Sequence, residues 1–253
     1  MSLDTRRRVR TPYAPALTLP PPFRLVALRE AGDALAHACQ IAAEEGAGTL
    51  VHVGRFDLIE FALVLEPDEP LRGARRAVYA GMVALADALA AHAPPEKMIN
   101  VNWPDAIFVD GALVGGGRLV WPDNANEDAP PDWLVFGATV RTAAMEETEP
   151  GLRPASATLE DEGFEDLGAG RLVESFARQF MVQIDAWQEQ GFGAVARSYL
   201  PYLATEPGLR REIADNGDLV MRRAGAAAPE RSSLVEALAK VAWLDRETGS
   251  PLL

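Results

Sequence analysis

Apolar and polar positions alternate most cleanly at Leu58–Glu66, where Ile59, Phe61, Leu63 and Leu65 share one side and Pro67 ends the run. A period of two predicts a half-buried strand. Shorter apolar runs predict strands at Phe23–Leu28 and Thr49–Val53, and between them Asp33–Glu45 carries Ala, Leu and Ile at helical spacing before stopping at Gly46. In Arg72–His92, Val78, Met82, Leu85 and Leu89 recur at 4-3-4 spacing. That is one stripe of a surface helix packed on the sheet, and the stripe reads as core, not as a cofactor box. Pro94-Pro95 ends it.

Three further strands are predicted at Met98–Val101, Ala106–Val109 and Leu113–Trp121, with Asp110-Gly111 between the last two. Asp-Gly flanked by apolar runs is a strong hairpin signal. A polar loop, Pro122–Pro131, leads to a strand at Trp133–Arg141, and Thr142–Leu167 reads as acidic loop with one short helical turn. Arg171–Gln190 is a long helix with Leu172, Phe176, Phe180, Ile184 and Trp187 on one face; Gly191 breaks it, and Phe192–Leu203 is a shorter helix. After that come a strand at Leu219–Arg222, a flexible Ala/Gly/Pro segment, and a helix after Ser232 or Ser233, with Glu236 placed for a capping box. Residues 1–22 form a flexible Pro-rich arm, because Pro12, Pro15, Pro20, Pro21 and Pro22 forbid a regular helix. Strands, a hairpin and helices at both ends of the chain predict an α+β fold: a mixed, mostly antiparallel sheet with helices packed against one side.

Composition narrows the classes. At 253 residues, with 48% hydrophobic and 24% charged residues, the chain is an ordinary globular protein. No apolar stretch approaches the roughly 20 residues needed to span a bilayer. Arg6, Arg7, Arg8 and Arg10 precede prolines and no apolar segment, so no secretory signal is read and a cytoplasmic location is expected. The single cysteine, Cys39, excludes an internal disulfide and reads as a structural thiol on the first helix. Three scattered histidines lack zinc-like spacing, so no metal is expected. A net charge of −13 argues against nucleic-acid binding. Twelve acidic residues lie between Asp123 and Asp166 against only Arg141 and Arg153, which marks either a solvated face or a docking surface for a basic protein partner. Lysine is scarce: Lys97 and Lys240 only.

The candidate chemistry gathers around the hairpin. Trp103 supplies a flat face, Pro104 a fixed backbone, and Asp105 a hydrogen-bond acceptor. Gly115, Gly116 and Gly117 remove three side chains in a row, which marks either crowding by another backbone or a ligand lying across the strand. Arg118 and Arg55 each read as a fork for a carboxylate or phosphate, or as half of a salt bridge with Asp57 or Glu60 as partner. No Walker loop, dinucleotide fingerprint or G-x-S-x-G elbow is present.

The run Asn102-Trp103-Pro104-Asp105-Ala106, the turn at Asp110-Gly111 and the strand Leu113-Val114-Gly115-Gly116-Gly117-Arg118 resemble the biotin/lipoate protein ligase superfamily, the biotin ligase catalytic module in particular. In that module a Lys-Trp-Pro-Asn-Asp hairpin precedes a lysine and a glycine-containing strand. Phe136–Val140, Ala157–Gly163 and the helices from Arg171 to Leu203 fit its later elements, so the likeness spans residues 23–205 and leaves 206–253 as a small C-terminal annex. The resemblance implies a ligase-like fold and a carboxylic or acyl ligand such as biotin, lipoate or octanoate, bound at Trp103, Pro104, Asp105, Gly115, Gly116, Gly117, Arg118 and Arg55. Members form an acyl-adenylate with ATP and acylate a lysine on a carrier domain. This chain departs from them where that reaction needs positive charge: the two lysine positions hold Asn102 and Leu113, and the Gly-Arg-Gly-Arg loop is shortened to Gly54-Arg55-Phe56. An octanoyl-transferring relative needs a positioned cysteine, and Cys39 lies on the wrong element for it. Three readings follow. A divergent ligase or acyltransferase predicts a cleft floored by Gly115–Gly117 on which Trp103, Arg118 or Arg55 converge. A non-catalytic binder predicts Leu113 and its apolar neighbours filling the nucleotide end. An unrelated enzyme predicts a new titratable cluster, Asp105 with His52 or Asp57.

Overall fold

The computed structural model describes residues 17–29, 32–144, 156–164, 167–245 and 249–252. Strand β1 (Arg24–Leu28) lies parallel to β2 (Thr49–Gly54), and helix α1 (Ala34–Glu45) makes the crossover between them. Strand β3 (Leu58–Leu65) returns antiparallel to β2. A short helix α2 (Leu71–Ala74) leads into α3 (Ala77–Ala90). The chain then runs through β4 (Ile99–Asn102), β5 (Ala106–Val109), β6 (Ala112–Val120) and β7 (Leu134–Arg141). Together these strands form a seven-stranded sheet of order β1-β2-β3-β7-β6-β5-β4, antiparallel except for the first pair. Helices α4 (Ala169–Gln190) and α5 (Phe192–Tyr199) follow, then a 3-10 turn at Leu200–Tyr202. A second sheet, β8 (Leu209–Ile213), β9 (Leu219–Arg223) and β10 (Glu230–Ser232), is antiparallel and precedes α6 (Leu234–Leu238).

Local chemistry sets the boundaries. Asp33 caps α1 by accepting from the Ala36 amide at 2.8 Å, and Glu60 reaches across from β3 to accept from Ala34 N at 2.6 Å, so two carboxylates meet the first-turn amides. Gly46, at φ 74°, closes the helix. Asp110 and Gly111 at φ 47° and 86° form the primed turn that a two-residue hairpin requires. Ser233 caps α6 as its spacing to Glu236 predicted.

Helices cover both faces of the sheet, not one. Ile59, Phe61, Leu63, Leu134 and Phe136 point to α3 and α4, whereas Val51, Val53, Ala62, Val64 and Val135 pack with Ala34, Ala38 and Ala42 of α1. The reason is legible in β3, whose Ala62 and Val64 make the opposite parity apolar as well; a strand apolar on both sides is covered on both sides. Helix α3 likewise exceeds the single stripe expected of it. Only Asp87 and Ala90 escape burial, because its alanines let α4 and α5 approach as closely as the sheet does. Residues 17–22 of the expected arm lie against α4: Leu17 and Leu19 pack on the core, and the Thr18 amide donates to Glu174 at 2.6 Å.

Three of the described residues of the acidic stretch are tied to cations of the same chain: Glu127 to Arg75, Asp128 to Arg72, and Glu162 to Lys97 at 2.6 Å. The rest of that stretch, residues 145–155 and 165–166, lies outside the described residues. Among the described residues no helix is long and apolar enough to cross a membrane.

Candidate functional site

The Trp-Pro hairpin is held from beneath by two buried tyrosines. Trp103 Nε1 donates to Tyr79 Oη of α3 at 2.8 Å, and Tyr79 donates in turn to the Gly217 carbonyl of the annex at 2.5 Å. Tyr199 of α5 donates to the Pro104 carbonyl at 2.8 Å and meets Tyr79 edge-on, with centroids 4.7 Å apart. The Trp103–Pro104 peptide is cis. Trp103 therefore anchors the hairpin to the core with its N–H already committed. Its ring also lines a groove of about 560 Å³ on the outer side of the hairpin, with Asn100, Asn102 and Phe108, opposite Leu203 and Met221.

The three glycines answer to three different neighbours. A Cβ at Gly115 would lie 2.1 Å from the Thr139 carbonyl oxygen, so the paired strand itself forbids a side chain there. At Gly117 it would lie 2.6 Å from Met82 Sδ and 2.8 Å from Phe136, on the α3 face. Gly116 points the other way, toward α1, where a Cβ would come within 2.3 Å of the Asp105 carbonyl oxygen and 2.5 Å of the Trp243 indole. Crowding by the protein accounts for all three positions, and at Gly116 the crowding group belongs to the C-terminal segment.

On that same α1 face, Arg118 pairs in register with Gly137, and Gly116 with Thr139, which in turn pairs with Glu60. Gly116 and Glu60 are thus two strand spacings apart, roughly 10 Å. Arg118 is partly exposed and, among the described residues, makes no hydrogen bond or ion pair. Asp105 is 5% exposed, and its Oδ2 has no hydrogen-bond partner; neither has Trp243 Nε1, itself on a residue 3% exposed. Burial raises the Asp105 carboxyl to about 7, and the nearby Trp243 N–H and Arg118 guanidinium only moderate that rise. The Trp243 N–H is thus directed at the Asp105 carboxyl as a weak hydrogen bond, outside ordinary hydrogen-bond geometry.

The remaining candidates do not converge here. Arg55 is engaged by Asp57 through two bonds of 3.0 and 2.6 Å, which lower the carboxyl and raise the guanidinium. Phe56, at the tip of the same turn, is 71% exposed. Of Trp103, Arg118 and Arg55, any of which the ligase reading expects to converge on the glycine strand, Arg118 lies with Asp105 on the Gly116 face, while Trp103 is bonded to Tyr79 and Arg55 to Asp57. Nor do His52 or Asp57 join Asp105. His52 sits on β2 opposite Phe61, with its Nε2 buried without a partner and its pKa lowered by burial, and Asp57 belongs to Arg55. Asn102 faces the outer groove, while Leu113 bridges Ser156 and its carbonyl accepts from Ala157 N at 3.0 Å. Cys39 lies on the α1 face close enough to Arg118 to feel its charge, yet burial and Asp33 raise its pKa, leaving a protonated thiol.

Sequence reasoning missed Tyr79, Tyr199 and above all Trp243. A tyrosine inside an apolar helix carries no pattern that reveals its partner. Trp243 did leave a trace: it is the one aromatic residue in 206–253.

The profile of the Biotin/lipoate A/B protein ligase family matches residues 19–201. Among solved structures, a biotin protein ligase-like protein of unknown function from a Silicibacter species superimposes with a TM-score of 0.73 at 28% identity, covering 87% of this chain and 98% of that one. Biotin protein ligase from Aquifex aeolicus gives 0.62 at 12% identity over 83% of this chain and 99% of that one. The Leishmania major biotin protein ligase bound to biotin gives 0.55 at 14% over 85% and 99%. No curated protein matches significantly. The sheet order, the Trp-Pro hairpin with its glycine strand and the matched span of 183 residues agree: the chain belongs to the biotin/lipoate A/B protein ligase family.

Proposed function

We propose that the protein binds a small carboxylic or acyl-bearing ligand on the α1 face of the sheet and does not adenylate it. The observation that carries this reading is Arg118: a guanidinium with no partner among the described residues, beside a buried Asp105 whose outer oxygen is also unpartnered. A planar fork suits a carboxylate. Asp105, held near neutrality, can donate a hydrogen bond to the same group or to an amide carbonyl. The known ligand chemistry of relatives, biotin with ATP in the Aquifex aeolicus structure, makes biotin, lipoate and octanoate the first probes.

The residues present do not fit an ATP-dependent step. Acyl-adenylate formation needs positive charge aimed at the phosphates as charge redistributes, and removing one such donor costs roughly 3 kcal/mol. Here Asn102 and Leu113 occupy the lysine positions, Arg55 is engaged by Asp57, and Lys97 by Asp110 and Glu162.

Two measurements test the reading together. ATP–pyrophosphate exchange with biotin, lipoate or octanoate is expected to stay at background. Calorimetric titration of the same acids is expected to show binding that weakens about 10- to 100-fold in Arg118→Ala, the loss typical of a charged hydrogen bond. Exchange above background, or binding indifferent to Arg118→Ala, would overturn it.

A further inference from the structure

The C-terminal segment does more than end the chain. After α6, Val241 turns the backbone at φ 24°, a positive value that a β-branched residue adopts only under strain. Trp243 then lays its indole against Gly116, the one position of the triple glycine that faces α1. Beyond it the chain folds back on itself. Leu244 bridges Pro251, the Asp245 amide donates to Ser250 O at 2.9 Å, and the Leu252 amide donates to Trp243 O at 2.8 Å. Arg141, at the end of β7 on the same face, donates to the Pro251 carbonyl at 2.5 Å. The segment is thus a strap laid over the floor of the site and pinned at its far end.

The strap leaves its own contact imperfect. Trp243 is almost wholly buried, yet its Nε1 reaches toward the Asp105 carboxyl without closing a hydrogen bond of ordinary geometry. Fixed structural tryptophans satisfy the indole N–H when they bury it, as Trp103 does through Tyr79. A donor and an acceptor that face each other without closing a full hydrogen bond, next to the unpartnered Arg118, describe a polar site whose present occupant fills the volume and meets its hydrogen bonds poorly.

We infer that Trp243 is an internal occupant of the ligand site, and that the strap formed by residues 243–245 and 249–252 is a plug which a ligand must displace from Gly116 to reach Asp105 and Arg118. The inference rests on the binding reading above, whose site it shares. It also states what displaces the plug: a ligand with a flat apolar body to replace the indole and a polar group that satisfies Asp105 and Arg118 together. The strap opens by rotation about the Val241 turn and loss of the Arg141 contact, while the sheet beneath stays folded. Apparent affinity is then the intrinsic affinity reduced by the fraction of molecules with the strap open.

Two experiments on the full chain separate this from its alternatives. Native-state hydrogen exchange reads the strap without any ligand: the Asp245, Gly249 and Leu252 amides are expected to exchange at least about 100-fold faster than the β6–β7 ladder, by a local opening. Exchange of those amides at the rate of the ladder overturns the plug, because the strap then opens only when the protein unfolds. Calorimetry with octanoate, lipoate and biotin reads the consequence. Trp243→Ala and Arg141→Gln are both expected to tighten binding, Trp243→Ala by up to about tenfold for an open fraction of roughly a tenth. Equal or weaker binding in Trp243→Ala, with wild type still binding, overturns the plug alone and makes Trp243 a wall of the site. Binding of no probe by any of the three proteins overturns the binding reading itself, and the plug with it.

Discussion

The two faces of the large sheet are built on opposite principles. The α3–α4 face is filled by large rings: Phe61, Phe136, Phe176 and Phe180 contact one another, with Phe136 and Phe176 stacked at 5.8 Å, and Gly81 and Gly117 exist to admit them. The α1 face is thin. One helix with Ala34, Ala38 and Ala42 covers its centre, and toward β5 and β6 it carries Glu60, Thr139, Arg118 and Asp105, three of them ionisable, under a strap. The first face supplies the large apolar packing, with His52 Nε2 opposite Phe61 a buried polar exception. The second gives up packing density and retains polar groups with unmet hydrogen bonds, which is where a ligand can gain affinity.

The largest test of that contrast is Phe136→Ala. Deleting a fully buried ring that touches Phe176 should destabilise the protein by about 3–5 kcal/mol in denaturant titration, with the site chemistry untouched. A loss below about 1 kcal/mol would show that the thick face is not the stability reservoir.

Next comes pH. The native Asp105 carboxyl, at about 7, binds its proton more tightly than an unfolded aspartate at 3.8. Between those values the native state holds more protons, so Asp105 makes stability fall as pH rises from about 4 to 7, by up to about 4 kcal/mol, and adds no slope above that. Asp57 and Glu127, lowered by their arginines, slope the opposite way at lower pH, so the quantity to measure is wild type minus Asp105→Asn. A difference that stays flat between pH 4 and 8 would remove the buried, unpartnered carboxyl from the account.

The smallest effect separates the faces by one methyl group. In Gly117→Ala the added Cβ meets Met82 and Phe136 at 2.6 and 2.8 Å, and overpacking there should cost about 1–3 kcal/mol. In Gly137→Ala it meets the Leu35 Cδ1 of α1 at 2.9 Å, a flexible side-chain end, and should cost less than about 1 kcal/mol. Equal melting temperatures for the two variants would mean that the faces yield alike.

Much of the fold is legible in the chain because its signals are local. The alternation at Ile59, Phe61 and Leu63, the Asp110-Gly111 turn and the Ser233 cap each fix an element without reference to distant residues. The resemblance placed the Trp-Pro hairpin beside its glycine strand, as Gly117 N donating to Asp105 O at 2.8 Å bears out. What the sequence withheld depends on contacts between distant residues. A glycine run cannot say that its three members answer to Thr139, Trp243 and Met82. The Arg55–Asp57 pair, two residues apart, is by contrast among the partners the sequence offers. The edge strand β8 escaped because Arg210, Arg211 and Glu212 interrupt its apolar positions. Its pairing is set by β9, not by its own hydrophobicity.

Tyr79 carries a consequence for how the molecule can be rebuilt. A hydroxyl has one proton to give, and this one gives it to Gly217 while receiving from Trp103. The hairpin and the second sheet, more than a hundred residues apart in the chain, therefore share a single oxygen atom. A chimera that borrows residues 206–253 from a relative also borrows the partner of that oxygen. The annex is no interchangeable module: transplanting it leaves the hairpin intact only if the donor offers a backbone carbonyl where Gly217 now stands.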